Sequence, residues 1–578
     1  MSVVEGTPLS HVRRMLGWWT TPTGQCTALL IGVVLVHRLV VWWLHRGAVD
    51  QLIAQNPTWL TWQYLPLSAL TQHLWTSLLY LQQTPPIPNL LLAFLGKLFE
   101  WPYGVAYSLL LLQTVLSIST GVLMFRILHL LTNSVYWATA ACLTFLLSTD
   151  LLVMEYNSFG QTFYENLAML ILTWVTWCFI TWRRTGALRY AWMLGVGTAA
   201  LALSRSSFAL FFVVPLAAIV LGADRRRWQH GAAFLLCVLL LHGGWSVKQY
   251  LVYGTLTPNT STWGGVSSVV GLVRAGVGQP FLDTILQEEE RYPSWFTQMV
   301  RDHGLVHWHP PLYQTYVPPT VQAHDAMIQA RLQQTNPPEN SIGLRMVSDL
   351  YMRAYGRLLV HHPMLVAEKF MRSYVVFWQP TRNYSAQFVA PLYVDPLVQN
   401  SFRVDQLWAA LTANGGQEAH YTMQGTLDAK VGQPTRFYTL PYVPLLMLAL
   451  NIAVIHVVVP LLVLGDLRQR LVLRKRFLPP QFYFLVGCYL YAAVVMNVAE
   501  HGEKMRFRLS VEPVIWITSI YAMRLFVQLV RSSVGQSAET SAAATPPAGR
   551  KPAPPAPPRP SREAPACLLY TSPSPRDR

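Results

Sequence analysis

Charge is scarce in this chain, and acid is scarcer than base. Only 12% of the 578 residues are Asp, Glu, Lys or Arg, against 52% that are hydrophobic, and the mean hydropathy is +0.30. A water-soluble protein of this length needs far more polar surface to cover its cores, so a soluble globular class is excluded. Cysteine is as sparse. The six residues are Cys26, Cys142, Cys178, Cys237, Cys488 and Cys567, and all but the last lie in or beside apolar runs. That placement argues against a disulfide framework, even in an oxidising compartment. No cleavable signal peptide is expected either, because the first apolar run follows a polar start and no small-residue cleavage pattern comes after it. Metal-ligand spacing is also missing. His307, Trp308 and His309 precede Pro310 and Pro311 with no Cys or acid at ligand distance, which reads as structural, and no metal site is assigned.

What the chain has in quantity is apolar length. Runs long enough to cross a bilayer, roughly 17 to 25 residues each, recur at 27–44, 104–131, 135–153, 162–182, 190–203, 206–222, 231–252, 437–465, 482–498 and 509–530. The expectation is an all-α polytopic membrane protein of about ten spans. The pair flanking Ser204, Arg205 and Ser206 could equally form one kinked or re-entrant element.

The cations give the orientation. With His11, Arg13 and Arg14 on the cytosolic side, the same side receives Arg183, Arg184 and Arg189, then Arg225, Arg226 and Arg227, then Arg468, Arg470, Arg474, Lys475 and Arg476. The formal net charge of +16 is therefore mainly a topology signal, and a nucleic-acid partner has little support. The opposite face, lumenal or periplasmic, receives 45–102, 150–161, 254–436 and 499–508. Residues 1–253 read as an N-terminal membrane module of about seven helices, with interfacial helices in 45–102, and 437–531 as a C-terminal module of about three. Between them, 254–436 has mixed charge, Pro and aromatics and reads as a folded outer domain. The tail 532–566 is rich in Pro, Ala and Ser and cannot bury a core. Its continuation 567–578, CLLYTSPSPRDR, looks like translated sequencing-adaptor read-through and is set aside.

The densest charge lies in AEHGEKMRFRLSVEP (499–513), between two apolar spans. Glu500, His501, Glu503, Lys504, Arg506 and Arg508 crowd the mouth of a hydrophobic segment. Ionisable groups there are costly to keep dry, so they pair, snorkel to water or face a site. An anion is the expected ligand. Arg506 and Arg508, two apart, both reach one anion if the segment is extended, and guanidinium suits bidentate phosphate contact.

The order of motifs resembles the GT-C glycosyltransferases, and within them the branch of dolichyl-phosphate-mannose protein mannosyltransferases and lipid A aminoarabinose transferases. The resemblance rests on Arg38 in VHRLVVWWL, on Asp50 followed by TPPIPNLLLAFLGKLF, and on Glu165 in FYENLAML. It continues with Arg205 in LALSRSSFALFF, with GTLTPNTSTWGG at the start of the large loop, and with KMRFRLSVEP. Together these cover most of 27–530. The resemblance implies transfer of a sugar, with inversion, from a polyprenyl-phosphate carrier to a glycan, protein or lipid acceptor on the outer face. The host membrane would be the endoplasmic reticulum in a eukaryote or the inner membrane in a bacterium.

Such a reaction needs a carboxylate to take the acceptor's proton and cations to stabilise the departing lipid phosphate. By resemblance Asp50 is the candidate base, although the neighbouring second acid of the family is missing here. Glu165 is the runner-up, with Asp150 and Glu155 in the same connector. Arg506, Arg508, Lys504 and Arg205 are the candidates for the donor phosphate, and Glu500, His501 and Glu503 are further site candidates. No cofactor is specified, and whether a divalent metal takes part is open. A lipid-linked glycan polymerase or ligase shares the outer-face arginines. A secondary transporter shares the span count but would carry inverted repeats, which are not evident.

Overall fold

The computed structural model describes residues 20–55, 64–82, 84–148, 151, 155, 163–222, 226–255, 264–274, 276–305, 310–332, 340–378, 442–473, 478–499 and 504–543. Secondary structure among them is helical throughout, with no strand. Buried apolar backbone in a membrane must satisfy its own hydrogen bonds, which leaves the helix as the default for every long run. Several helices begin on proline: Pro22, Pro86, Pro310, Pro319, Pro363 and Pro480. The first turn has no use for an amide donor, and the ring already holds the helical φ. Asn133 (φ 54°) and Gly254 (φ 70°) close two helices in the left-handed region, where either residue is tolerated.

Among the described residues seven helices are long and apolar enough to cross a membrane: Pro22–Trp43, Tyr103–Thr132, Phe163–Thr185, Arg227–Tyr253, Leu446–Val472, Pro480–Val498 and Glu512–Ser532. The protein is therefore an integral, multi-pass membrane protein. The other three expected runs form shorter helices, Val135–Leu146, Leu188–Ser204 and Val213–Val220. The chain does break at Arg205, which is extended (φ −150°, ψ 121°) and followed by the tight turn Ser206–Phe208. The first helix runs past the expected boundary near 44 to Gln55, so Asp50 sits on helix rather than in a loop.

We number the elements that position the site. Helices α1 (Pro22–Gln55), α2 (Tyr103–Thr132), α3 (Val135–Leu146), α4 (Phe163–Thr185), α5 (Leu188–Ser204) and α6 (Arg227–Tyr253) form the first group. Close approach between α5 and α6 depends on Gly195, where a Cβ would fall 2.6 Å from the Phe234 carbonyl oxygen. Small residues at such contacts are how helices gain packing in lipid.

Residues 264–378 carry the described part of the long connector expected on the outer face, called here the outer connector. Helices from Gly264–Arg274 to α7 (Ile342–His361) and α8 (Pro363–Phe377) bury a core of Val269, Phe281, Phe296, Tyr313, Leu344, Tyr351 and Leu358. Gly265 abuts the Ser348 carbonyl, where any Cβ would collide with backbone. Then come α9 (Pro480–Ala499), α10 (Lys504–Leu509) and α11 (Glu512–Ala543). Residues Met1–Phe526 form one unit and Val527–Arg578 a second, whose described part is helical.

Contacts sort the first unit into two ends. At one end Arg184 donates to the Leu130 carbonyl (2.7 Å) and Arg524 to that of Leu131. At the same end the buried Asp466 accepts from the Leu478 amide (2.7 Å) and the Tyr483 hydroxyl and forms an ion pair with Arg470 (2.5 Å), closing the connector between Leu446–Val472 and α9. The opposite end holds Glu165, Arg205 and Ser510. This is the same division of connectors that the basic residues give in the sequence.

Helix α8 runs antiparallel to α9. Lys369 Nζ donates to the Asn497 and Val498 carbonyls (2.8 and 2.6 Å), while five residues on, Tyr374 meets Tyr489. The outer connector thus sends a helix back along a membrane-spanning one. Trp228 and Met364, both exposed, lie at the two different ends. A membrane-impermeant maleimide on intact cells or sealed vesicles should therefore label a cysteine placed at Met364 and reach one at Trp228 only after permeabilisation. Equal labelling of both from one side would overturn the assignment of ends.

Candidate functional site

The site grows from two returns of the chain toward the middle of the membrane. After α9 ends at Ala499, α10 comes back beside it, and after α5 the turn at Arg205 does the same from the other side. Tyr491 Oη of α9 donates to the Ser207 carbonyl at 2.9 Å, which fixes that turn to a point seven residues inside Val498. At 1.5 Å per residue the turn lies about 10 Å below the end of α9.

Glu165, in the first turn of α4, is fully buried and paired with Arg205, which is 5% exposed. Ser510 sits between them. Its hydroxyl donates to Glu165 Oε2 (2.5 Å) and accepts from Arg205 Nη1 (3.0 Å). Arg205 Nε donates to the Ser207 hydroxyl (2.9 Å), and its guanidinium stands over the rings of Phe507 (4.5 Å) and Tyr164 (5.6 Å). Three stretches remote in sequence thus converge on one charge pair. Two aromatic faces and a serine keep the guanidinium oriented while excluding water, which strengthens the attraction.

Arg508, 1% exposed, is the second cation. Its Nε donates to Glu512 Oε2 (2.7 Å) and its Nη1 to the carbonyl of Phe377 (2.9 Å), the last residue of α8. A guanidinium at a helix C-terminus meets the negative end of the helix dipole. Trp378 lies beneath it, with its ring centroid 6.0 Å away. Because Ser510 follows Arg508 by two residues, the Arg508 and Arg205 assemblies share one short segment. Each guanidinium is a group that takes an oxyanion, which would share it with or displace its carboxylate.

Of the residues singled out in the sequence, the structure brings Glu165, Arg205 and Arg508 into this segment. Asp50 is not part of it. Its carboxylate, half-buried, accepts a hydrogen bond from Tyr107 of α2. The extended segment that would aim Arg506 and Arg508 at one anion is instead the helical α10. The side chains of Lys504 and Arg506 lie outside the described residues, as do Glu500, His501, Glu503, Asp150 and His307 to His309.

Arg38 is buried and occupied. It pairs with Glu155 (Nε to Oε2, 2.6 Å) and caps the C-terminus of α3 through the Leu146 carbonyl (2.8 Å). Gln113 links the Glu155 carbonyl (3.2 Å) to Asn166 (2.9 Å), the neighbour of Glu165. Sequence reasoning missed Ser510, Tyr164 and Glu512, and marked Phe507 only as the aromatic residue between Arg506 and Arg508. Only Ser510 carried a signal, as a polar residue two beyond a predicted phosphate ligand. Among the described residues no three His, Cys, Asp or Glu side chains converge as a metal site.

No known protein family, no curated protein and no solved structure matches this chain.

The buried pair gives a stability prediction. Arg205→Ala leaves the Glu165 carboxylate uncompensated and should cost about 3 to 5 kcal/mol. Replacing both partners by apolar residues, Arg205→Met with Glu165→Leu, should recover most of that loss, read as thermal unfolding in detergent. A double variant no better than Arg205→Ala would show that the pair is not the source of the cost.

Proposed function

We propose that the protein is an inverting GT-C-type glycosyltransferase that takes a sugar from a polyprenyl-phosphate donor and transfers it to an acceptor at the outer face. The observation that carries this reading is the Glu165–Arg205–Ser510 assembly with Arg508 two residues away, sunk below the end of α9. Buried cations at that depth suit a lipid-borne phosphate, which arrives within the membrane and departs there. On this reading the three shorter helices complete about ten passes. The GT-C arrangement, the lumenal or periplasmic placement of the site and residence in the endoplasmic reticulum or bacterial inner membrane belong to the same proposal.

In the reaction the acceptor hydroxyl attacks the anomeric carbon and the bond from that carbon to the phosphate oxygen breaks. The hydroxyl proton passes to a carboxylate, and polyprenyl phosphate leaves with the electron pair. Arg205 and Arg508 stabilise the charge that grows on the phosphate. We keep Asp50 as the base although it stands apart from the arginine assembly, so the bound donor sugar would have to bridge the two. Asp50 is half-buried and holds one tyrosine hydroxyl, whereas Glu165 is engaged by Arg205 and Ser510 and serves to position the arginine. A phosphate leaving group needs little acid assistance, so one base suffices.

The test is release of free polyprenyl phosphate from a panel of labelled polyprenyl-phosphate sugars, using membranes that contain the protein and a mixed acceptor extract. Asp50→Asn and Arg508→Ala should each lower acceptor-dependent turnover by about 100-fold or more at unchanged expression. No release with any donor would sink the transferase reading. Turnover that survives Asp50→Asn would move the base to Glu165.

A further inference from the structure

Another cation in the first unit has no part in the site above. Lys248 lies on α6, five residues before its end at Tyr253, which is about 7 Å below that terminus at the helical rise. Its Nζ donates to the Leu81 carbonyl (2.7 Å) and stands over the rings of Trp245 (4.2 Å) and Tyr253 (5.6 Å). Among the described residues that carbonyl is its only hydrogen-bond acceptor, although an ammonium has three donors. The indole Nε1 of Trp245 is buried and has no acceptor among the described residues.

A latch between α6 and the connector at Tyr80 to Gln82 does not need this charge. Gln249 Nε2 already donates to the Leu81 carbonyl (3.2 Å), Tyr253 Oη to that of Tyr80 (2.6 Å), and Asn340 binds Tyr80 and Gln82 (2.9 Å each). Neutral groups make the latch, so a charge placed inside a membrane-spanning helix points to a ligand.

We propose that Lys248 and Trp245 form a second anion site, which binds the phosphate of a membrane lipid. The ammonium and the indole N–H are the donors, and the depth is that of lipid headgroups at the outer boundary. The lipid has a route in, since Val247 and Leu251, beside Lys248 on α6, are exposed apolar side chains. Leu78 and Leu81 belong to the apolar cluster against which Trp245 packs, which holds the indole in place. This inference is independent of the transferase reading. It requires only a phosphate held at Lys248, whatever reaction occurs elsewhere.

The experiment is native mass spectrometry of the full chain released from detergent, in an Arg508→Ala background that weakens the other candidate site. The probes are polyprenyl phosphate, phosphatidylglycerol and phosphatidylcholine, with folding of every variant checked by thermal unfolding. A retained adduct should weaken about tenfold in Lys248→Met, survive in Lys248→Arg, and weaken less in Trp245→Phe, in proportion to the loss of one neutral donor. Adducts with polyprenyl phosphate alone would identify the carrier lipid as the source. Adducts that include phosphatidylglycerol would identify a general anionic headgroup. Binding unchanged in Lys248→Met overturns the proposal. So does equal weakening in Lys248→Met and Gln249→Leu, which would make Lys248 part of the latch.

Discussion

A charge inside a membrane must be answered by another charge or by a helix terminus, and that constraint organises this protein more than any apolar contact does. Arg38 is answered by Glu155 and the end of α3, Arg205 by Glu165, and Arg508 by Glu512 and the end of α8. Lys369 is answered by the last carbonyls of α9. Each answer joins elements far apart in sequence. Lipid offers no hydrophobic gain for pressing one apolar helix against another, so such polar junctions and close glycine contacts decide which helices meet. Isolated ionic burial of this kind is expensive. It is offset where hydrogen bonds add to the pair, as around Ser510, which both gives to the carboxylate and takes from the guanidinium.

The same junctions explain how much was legible in the sequence. Helices announce themselves by length and hydropathy, so the seven long spans and the two ends could be read from apolar runs and clustered Arg and Lys. The short helices could not be bounded that way. Val135–Leu146 stops where Arg38 caps it, and Leu188–Ser204 stops where Arg205 turns toward Glu165. Those stops are tertiary events. Arg205, Glu165 and Arg508 stood out because each is a rare charge beside an apolar run. Their partners Phe507 and Tyr164 did not, since an aromatic residue in so aromatic a chain carries no local mark. Asp50 illustrates the limit of position alone: its place after the first span suggested a loop, yet the helix continues through it to Gln55.

Two arrangements in the outer connector bear on how a site so deep could open. Helix α8 enters along α9 and presents its C-terminal carbonyl to Arg508, so the pose of that arginine depends on the seating of a helix of the long connector. Lys369 fixes the helix at the upper level, and Tyr374, with His456 (2.6 Å) and Tyr489, fixes it lower down. His456 Nδ1 bonds to the Ile452 carbonyl at 2.7 Å, which in the neutral ring leaves Nε2 to accept the Tyr374 hydroxyl. His456 also lies in a π turn, Val454–Val458, an irregularity often found at functional positions. The outer connector is thus geared to the phosphate candidate through a small set of polar contacts rather than through a broad apolar face.

That gearing sets a condition on any anionic ligand. Arg205 and Arg508 each hold a carboxylate, so an incoming phosphate does not meet bare positive charge. It must share the guanidinium or displace Glu165 and Glu512, and the gain is the difference between two charge-assisted contacts rather than the whole of one. Binding by exchange is weaker than binding to an unoccupied cation, but it is also easier to reverse. If the proposed transfer occurs here, release of the lipid phosphate after each event would gain from that reversibility, because the carboxylates would re-form their pairs as the anion leaves. On the proposed reading Glu165 and Glu512 are internal stand-ins for the ligand, two acids facing two arginines in a chain otherwise poor in acid.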